Sequence, residues 1–291
     1  MKVFTGENPC VAKLVFEFPN AVAEAVLYKY PTYQERTVLC ISLQSGCVVG
    51  CTFCGTGKKF LRNLTKDEII YQVTSAFEWA GLIDPFNEVK KLQIMFMSMG
   101  EPFHNYDNLE NSIIELNNKY PNADLLVSTI SPNQPKEMIR FIELSKQIDK
   151  IGLQFSIHES SDKKRNILIP YKNKMSLTEI RDYGVQWWNE TGRKPYCNYC
   201  VNGKNNTIED FYKIRLIFPP NVFCFTFSVI CSKECGGNSF RNKDKIQKFE
   251  RLFMNVGYDT RKFDPAGQDD IGGGCGQLWY VQEYMKRHSI K

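Results

Sequence analysis

The chain has 291 residues, of which 43% are hydrophobic and 13% aromatic, and its formal net charge is +5. This composition excludes a disordered tail and a disulfide-held mini-protein, and the charge permits an acidic partner without requiring one. No apolar run is long enough to cross a bilayer, and the first seven residues lack the apolar core of a signal peptide. We therefore expect a soluble, cytoplasmic protein without a membrane partner.

Short apolar segments alternate with amphipathic ones along most of the chain. Thr65 and Glu68 have the spacing of a capping box and mark the start of the first helix. Strands alternating with helices predict an α/β fold with a parallel sheet. In chain order the pattern predicts a strand at 37–42, a helix at 65–81, a strand at 92–98, a helix at 106–120, a strand at 124–129, a helix at 135–148, a strand at 151–157, a helix at 177–190, a strand at 195–201, a helix at 207–217, a strand at 222–230 and a helix at 244–256.

Polar motifs follow the first four predicted strands. They occupy residues 46–56, 100–105, 128–131 and 158–161. In parallel α/β folds, binding and catalytic groups collect at the carboxyl ends of the strands. This placement predicts an enzyme whose site lies at that edge of the sheet.

Eleven cysteines are many for a chain without an export signal, and the odd number disfavours a disulfide framework. Cys47, Cys51 and Cys54 lie within eight residues, so one loop can direct three sulfurs at one centre. Three thiolates leave one metal coordination position open. A four-iron cluster offers that position to a substrate, whereas a structural zinc ion fills it with a fourth ligand, for instance from Cys197-x-x-Cys200. Three buried thiols without a metal are the remaining interpretation.

The spacing Cys47-x3-Cys51-x2-Cys54, with Phe53 before the last cysteine, resembles the cluster loop of the radical S-adenosylmethionine (SAM) superfamily. A narrower resemblance is to its RNA adenine methyltransferases, which methylate C2 or C8 of an adenosine in large-subunit rRNA and in some cases in tRNA. It runs from about Glu24 to Leu278 and is carried by residues 39–47, 63–69, 98–102 (Ser-Met-Gly-Glu-Pro), 128–129, 156–158 and 268–278.

This resemblance implies a TIM-like partial (β/α)6 barrel of the radical SAM type, which agrees with six predicted strands. We expect residues 1–36 to form an extension on the barrel, 37–260 the barrel itself, and 261–291 a tail. The resemblance also implies a [4Fe–4S] cluster held by Cys47, Cys51 and Cys54, with SAM on the fourth iron. The residues that it assigns to SAM binding are Phe53, Gly100, Glu101, Ser128, Ser156, Ile157 and His158.

The resemblance further implies a radical route, because the C–H carbons of adenine are not nucleophilic. One SAM methylates the thiol of Cys275, and a second SAM yields a radical that takes hydrogen from this methyl group. The carbon radical adds to adenine, and Cys40 then forms a disulfide with Cys275 and releases the product. The resemblance matches Glu24 to a residue that contacts the base and accepts a proton, and an exposed strand glutamate is the alternative.

The expected partners follow from the same resemblance. They are an RNA substrate and a reducing protein such as flavodoxin or ferredoxin, and we expect a monomer. Because Cys40 comes early, we expect the family's N-terminal accessory domain to be missing. The same chemistry on a small molecule, nucleotide or peptide is therefore an alternative, and a zinc-stabilised RNA-binding module without catalysis is an alternative of another class. Arg62 and Arg165 are candidate phosphate contacts.

Four further cysteines have no role in this scheme. Cys197 and Cys200 lie on a predicted strand at odd spacing, so we expect them to point to opposite faces. Cys231 stands where the related methyltransferases usually have an asparagine that binds SAM, and Cys235 follows four residues later. Scattered thiols are favoured over a second metal site.

Overall fold

The computed structural model describes residues 1–231, 242–274, 277–278 and 280–288. Its strands are β1 (Lys2–Thr5), β2 (Val11–Phe18), β3 (Ala21–Lys29), β4 (Arg36–Cys40), β5 (Gln44–Gly46), β6 (Phe60–Asn63), β7 (Lys91–Phe96), β8 (Asp124–Thr129), β9 (Ile151–Ser156), β10 (Tyr196–Cys200), β11 (Cys224–Ser228) and β12 (Thr260–Phe263). Its α-helices are α1 (Lys66–Trp79), α2 (Pro85–Glu88), α3 (Tyr106–Lys119), α4 (Pro135–Gln147), α5 (Asp162–Leu168), α6 (Leu177–Thr191), α7 (Ile208–Ile217), α8 (Lys243–Met254) and α9 (Tyr280–Arg287).

One sheet organises the molecule. Its order is β1-β2-β3-β4-β7-β8-β9-β10-β11-β12, and β5 pairs with β6 in a separate hairpin. In this sheet β4 and β7 to β12 run parallel to one another, whereas β1, β2 and β3 add an antiparallel extension beside β4. The six predicted strands correspond to β4 and β7 to β11, so the predicted α/β fold with a parallel sheet is confirmed.

Helices link the parallel strands, as such a sheet requires. The capping box at the start of α1 is present, because the Thr65 side chain accepts from the Glu68 amide and the Glu68 carboxylate accepts from the Thr65 amide. Helix α6 approaches the sheet closely at Gly184, where an added Cβ would lie 2.4 Å from Cε1 of Phe223. No helix in the described ranges is both long and apolar enough to span a bilayer.

The C-terminal tail crosses from the end of β12 to the antiparallel extension. Ala266, Ile271 and Leu278 pack with Val26 and Cys40, among other residues, in one apolar cluster. Further along, Val281 and Met285 of α9 pack on β2 and β3. The two ends of the chain therefore meet on one face of the sheet. The division into three units at 36 and 260 stays a prediction.

Candidate active site

The three clustered cysteines follow β5 in a tight loop. Gly46 and Gly50 have φ angles of 84° and 72°, a region that glycine enters without steric cost. At Gly46 an added Cβ would lie 2.0 Å from the carbonyl oxygen of Lys59, so a side chain there is excluded. The Cys54 amide donates to the Cys51 carbonyl at 3.1 Å, which closes the turn between the last two cysteines.

The thiols of this loop lie close to one another in an apolar setting. Burial raises the pKa of Cys47 to about 12, and the Cys54 sulfur beside it raises that pKa further. Burial likewise raises the pKa of Cys51 well above its usual value, and the sulfurs of Cys54 and Cys47 add to the shift. Val49, Ile130 and Ile169 form the apolar cluster against which Cys47 and Cys51 pack.

Three thiols from one loop suit the predicted four-iron cluster, in which each thiolate binds a different iron and the fourth iron stays open. Within the described parts of the chain, no three His, Cys, Asp or Glu side chains are placed to hold one ion. A tetrahedral zinc ion brings its sulfur ligands to roughly 3.8 Å from one another, given Zn–S bonds of about 2.3 Å. A four-iron cluster binds each thiolate to a different iron and spaces them more widely. The zinc interpretation, with Cys197 or Cys200 as further ligands, therefore gains no support.

The Gly100-Glu101 turn after β7 borders the cluster loop. The Gly100 backbone donates to the Cys47 sulfur, and the Glu101 carboxylate raises the pKa of both Cys47 and Cys51. Glu101 is buried and its Oε1 accepts from the Thr129 hydroxyl at 2.5 Å, while its Oε2 accepts from the Ile130 amide at 2.9 Å. Burial raises the pKa of Glu101 to about 7 despite these donors.

The other predicted SAM residues line the carboxyl ends of β8 and β9. The hydroxyls of Ser128 and Ser156 are 3.2 Å apart, and Ile157 is fully buried. The rings of Phe53 and His158 meet edge to face at 5.3 Å. Burial lowers the pKa of His158 to about 3, and its Nδ1 accepts the Cys200 amide at 3.2 Å. The structure thus brings these residues beside the cluster loop, and their SAM contacts remain predictions.

Cys40 ends β4 on the face that the C-terminal tail covers. It pairs with Val26 across β3 and β4, and its sulfur lies 3.7 Å from the Met95 sulfur. Burial raises the pKa of the Cys40 thiol to about 12.

Cys275 itself lies outside the described residues, as does Cys235, but the residues before Cys275 are placed. The Tyr28 hydroxyl donates to the Gly273 carbonyl at 3.0 Å, and an added Cβ on Gly273 would lie 3.5 Å from Cγ1 of Val26. Since Val26 is the cross-strand partner of Cys40, Gly273 lies against the strand pair that carries Cys40.

Glu24 is buried, so the exposed-glutamate interpretation is wrong. Its Oε1 accepts from the Tyr280 amide at 2.6 Å, and its Oε2 lies 3.3 Å from Nζ of Lys13. Burial raises the pKa of Glu24, whereas Lys13 and the Tyr280 amide lower it. Glu24 and Val26 are two residues apart on β3 and share a face, which places the carboxylate on the Cys40 side of the sheet.

The two arginines considered as phosphate contacts both bind groups of the protein itself, and Arg165 is buried, whereas the default expectation for each is a solvated side chain. Arg165 is fully buried and donates to the carbonyls of Met175 and Ile130 at 2.8 and 2.6 Å. These bonds connect the end of β8 to the segment before α6. The guanidinium of Arg62 is engaged by Glu68 at 2.8 Å and by the Pro19 carbonyl at 2.7 Å.

The cysteines of β10 point to opposite faces, as predicted. Cys197 packs in the main core, whereas Cys200 lies close enough to Cys231 and Cys54 for those sulfurs to raise its pKa. Cys231 in turn lies against the tail, since an added Cβ on Gly274 would be 2.8 Å from its sulfur.

Sequence reasoning missed Lys13 and Thr56. The Thr56 hydroxyl donates to the Leu278 carbonyl at 2.5 Å, and the side-chain Nε2 of Gln282 donates to the Gly55 carbonyl at 2.9 Å. These bonds join the cluster loop to the tail across more than two hundred residues. No local sequence spacing predicts these two hydrogen bonds, although the apolar pattern of 281–285 weakly indicates a helix.

Comparison with known proteins gives matches along most of the chain. The model of the radical SAM superfamily matches residues 41–216. A probable dual-specificity RNA methyltransferase RlmN from Thermotoga neapolitana is 33% identical over 259 residues, covering 88% of this chain and 71% of the relative. The corresponding protein of Chloroflexus aurantiacus is 32% identical over 306 residues, covering 99% of this chain and 77% of the relative.

Solved structures agree with the fold. A radical SAM methyltransferase from Sphaerobacter thermophilus superposes with a TM-score of 0.80 at 25% identity, covering 95% of this chain and 80% of the other. A spore photoproduct lyase superposes with a TM-score of 0.54 at 12% identity, covering 77% of this chain and 76% of the other, which is a similarity of fold alone.

Proposed function

Because the chain belongs to the radical SAM superfamily and, within it, to the family of RlmN-type methyltransferases, we propose that it methylates C2 or C8 of an adenosine in RNA through a methylated Cys275. The chain is a SAM-dependent methyltransferase with a [4Fe–4S] cluster and SAM as cofactors. The proposal adds to this family membership the carbon that is methylated, the cysteine intermediate and the use of two SAM molecules per turnover.

The cofactors have a place among the described residues. Cys47, Cys51 and Cys54 would hold the cluster, and the SAM site would lie between Gly100, Glu101, Ser128, Ser156, Ile157, His158 and Phe53. When bound, the cluster and SAM supply the one-electron chemistry that activates an inert C–H bond. Val49, Ile130 and Ile169 pack against Cys47 and Cys51 and so reduce the contact of these thiols with water.

Two thiols carry the proposed group transfer. A thiolate is a competent nucleophile for a methyl group, and Cys275 takes this role. Once this carbon, now a methylene group, is bonded to the base, the adduct radical must lose one electron, which the oxidised cluster would accept, and the proton of its ring carbon. The Cys40 thiolate then attacks the sulfur of Cys275. The bond from that sulfur to the carbon breaks, a disulfide forms, and the released carbon takes a proton to become the product's methyl group.

Glu24 is proposed as the group that takes the proton from the methylated ring carbon. A buried carboxylate is a stronger base than an exposed one, since burial raises its pKa. It shares a sheet face with Cys40, so the proton acceptor and the resolving thiol act on the same region.

The observation that carries the proposal is the docking of the tail on the Cys40 face. Tyr28 fixes Gly273, two residues before Cys275, against the strand that pairs with Cys40. The alternative of a zinc-stabilised RNA-binding module explains neither this approach nor the thiol spacing.

The test is transfer of labelled methyl groups from SAM to RNA by the reconstituted protein. We expect label in an adenosine of cellular RNA, with digestion to nucleosides identifying the carbon. Cys275→Ala should abolish transfer, and Cys40→Ala should accumulate a covalent protein–RNA adduct. Label in a small molecule or peptide instead of RNA would overturn the RNA substrate. Purified protein that contains zinc but neither iron nor sulfide would overturn the proposal that the protein is a radical SAM enzyme.

The proposal also includes an electron donor, an oligomeric state and a cellular location. A small reducing protein, such as flavodoxin or ferredoxin, would supply electrons, and the protein would act as a monomer in the cytoplasm. Gel filtration and reduction of the cluster by each donor protein would test these points.

A further inference from the structure

A buried ion pair joins β2 to β3 beneath the tail. Nζ of Lys13 lies 3.3 Å from Oε2 of Glu24, and the side chains are 7% and 0% exposed. Lys13 pairs with Val26 and Glu24 with Val15 in the hairpin register, so both charges point to the face that also carries Cys40.

We propose that Lys13 is a positioning residue that keeps the Glu24 carboxylate ionised and in place to accept the substrate's proton. The inference rests on the proposed function, because it assigns Glu24 the role of proton acceptor. It adds Lys13 as a functional residue, which the proposed chemistry of Cys40 and Cys275 does not itself require.

The geometry leaves one carboxylate oxygen available. Oε1 accepts from the Tyr280 amide, but Oε2 has no hydrogen-bond partner among the described residues, although the Lys13 ammonium stands 3.3 Å away. The hydroxyls of Ser42 and Ser98 both donate to the Glu24 backbone carbonyl, at 2.5 and 2.7 Å, and so hold the residue without occupying its carboxylate. Oε2 therefore retains room for a proton.

The charges around Glu24 decide its protonation. Burial raises its pKa, and Lys13 is the largest influence that lowers it, followed by the Tyr280 amide. The other titratable groups on this face are the Tyr28 phenol of β3, the Cys40 thiol of β4 and the phenols of Tyr280 and Tyr284 on α9. Towards its outer edge, Glu17 of β2 pairs with Lys2 of β1 and with Arg287 of α9. Among the described groups that shift this carboxyl, Lys13 is the sole cation.

The two partners that stabilise the Glu24 carboxylate belong to different parts of the chain. The Tyr280 amide belongs to the tail that carries Cys275, whereas Lys13 belongs to the sheet. A substrate or tail position that takes the amide away leaves Lys13 as the partner of the carboxylate. Without Lys13, a desolvated carboxyl binds its own proton at neutral pH and can no longer accept one.

The test compares Lys13→Met with Lys13→Arg, with Lys2→Met as a control on the exposed strand β1. Product RNA and the covalent protein–RNA adduct are measured from pH 6 to 9. We expect Lys13→Met to shift the rising limb of product formation upward by about one pH unit or more, which is a loss of roughly fivefold or more at the wild-type half-maximal pH. The adduct should accumulate, while Lys13→Arg and Lys2→Met keep the wild-type limb.

A merely structural role is distinguished in two ways. Methylation of Cys275 without RNA should be unchanged in Lys13→Met, and in a Glu24→Gln background the Lys13→Met change should add no further loss. The inference would be overturned if Lys13→Met lost Cys275 methylation and RNA product formation equally, or if the rising limb of its pH profile did not shift. If Lys13→Met does not fold, Lys13→Gln provides the same comparison. Absence of RNA methylation by the wild type would instead refute the proposed function before any variant is compared.

Discussion

The thiol of Cys40 shows how burial limits the reactivity of a group that the proposed mechanism uses. Burial raises its pKa to about 12, so at pH 8 the thiolate is a very small fraction. We expect alkylation of Cys40 by iodoacetamide to rise about tenfold per pH unit from pH 8 to 10 without a plateau. Peptide mass spectrometry measures the rate at each cysteine, and a free cysteine in the same tube is the control. A plateau below pH 9 would contradict this burial.

Arg165 stabilises the fold from a buried position. Its guanidinium donates to the carbonyls of Met175 and Ile130, and burial lowers its pKa to about 10, so it stays charged at neutral pH. Arg165→Met leaves these buried carbonyls without donors, and we expect the free energy of unfolding to fall by about 2–4 kcal/mol. Urea unfolding measures the change. Arg181→Met, at a surface pair with the adjacent Asp182, should change it by less than about 0.5 kcal/mol.

At the scale of elements, α9 depends on its partner surface. Only Val281, Tyr284 and Met285 of its residues are buried, and they pack on Val15 and Val22. A helix of eight residues does not persist alone in water. Val281→Asp places a charge in this contact, so we expect α9 to leave the sheet while the core stays folded.

Amide hydrogen exchange measures that release. Peptides covering residues 280–288 should exchange at least tenfold faster in Val281→Asp, whereas peptides from β7 to β9 should keep their protection. Glu283→Asp, on the same helix outside the buried set, is the matched control. Equal loss of protection throughout would mean that α9 is part of the core.

The parallel strands and their helices were predictable because each carries its own signal. Each strand is apolar, each main helix is amphipathic, and three bear capping boxes that local sequence encodes. The cluster cysteines were predictable because one loop holds all three. The hairpin β2–β3 and helix α9 were not predicted, since each is stabilised by packing on the other. Lys13 was missed because its pairing with Glu24 exists only in the hairpin register Val15–Glu24.

On the scale of the whole molecule, the site is built from both chain ends and the middle. The Tyr280 amide reaches Glu24, and the Thr56 hydroxyl reaches the Leu278 carbonyl. The tail is therefore bound on one side to Glu24 and on the other to the segment just after Cys54. Order in the cluster loop and docking of the tail should depend on one another.

This dependence predicts how cluster removal affects stability. A cluster bound only by the native loop stabilises the folded chain by mass action, and its thiolates would otherwise face one another across a desolvated loop. We expect chelation of the iron to lower the unfolding temperature by several degrees and to speed amide exchange in residues 280–288. Cys51→Ala, which already lacks one ligand, should show neither change on chelation. A cluster-free protein with an unaltered tail would show that the bonds from Thr56 and Gln282 do not couple the two segments.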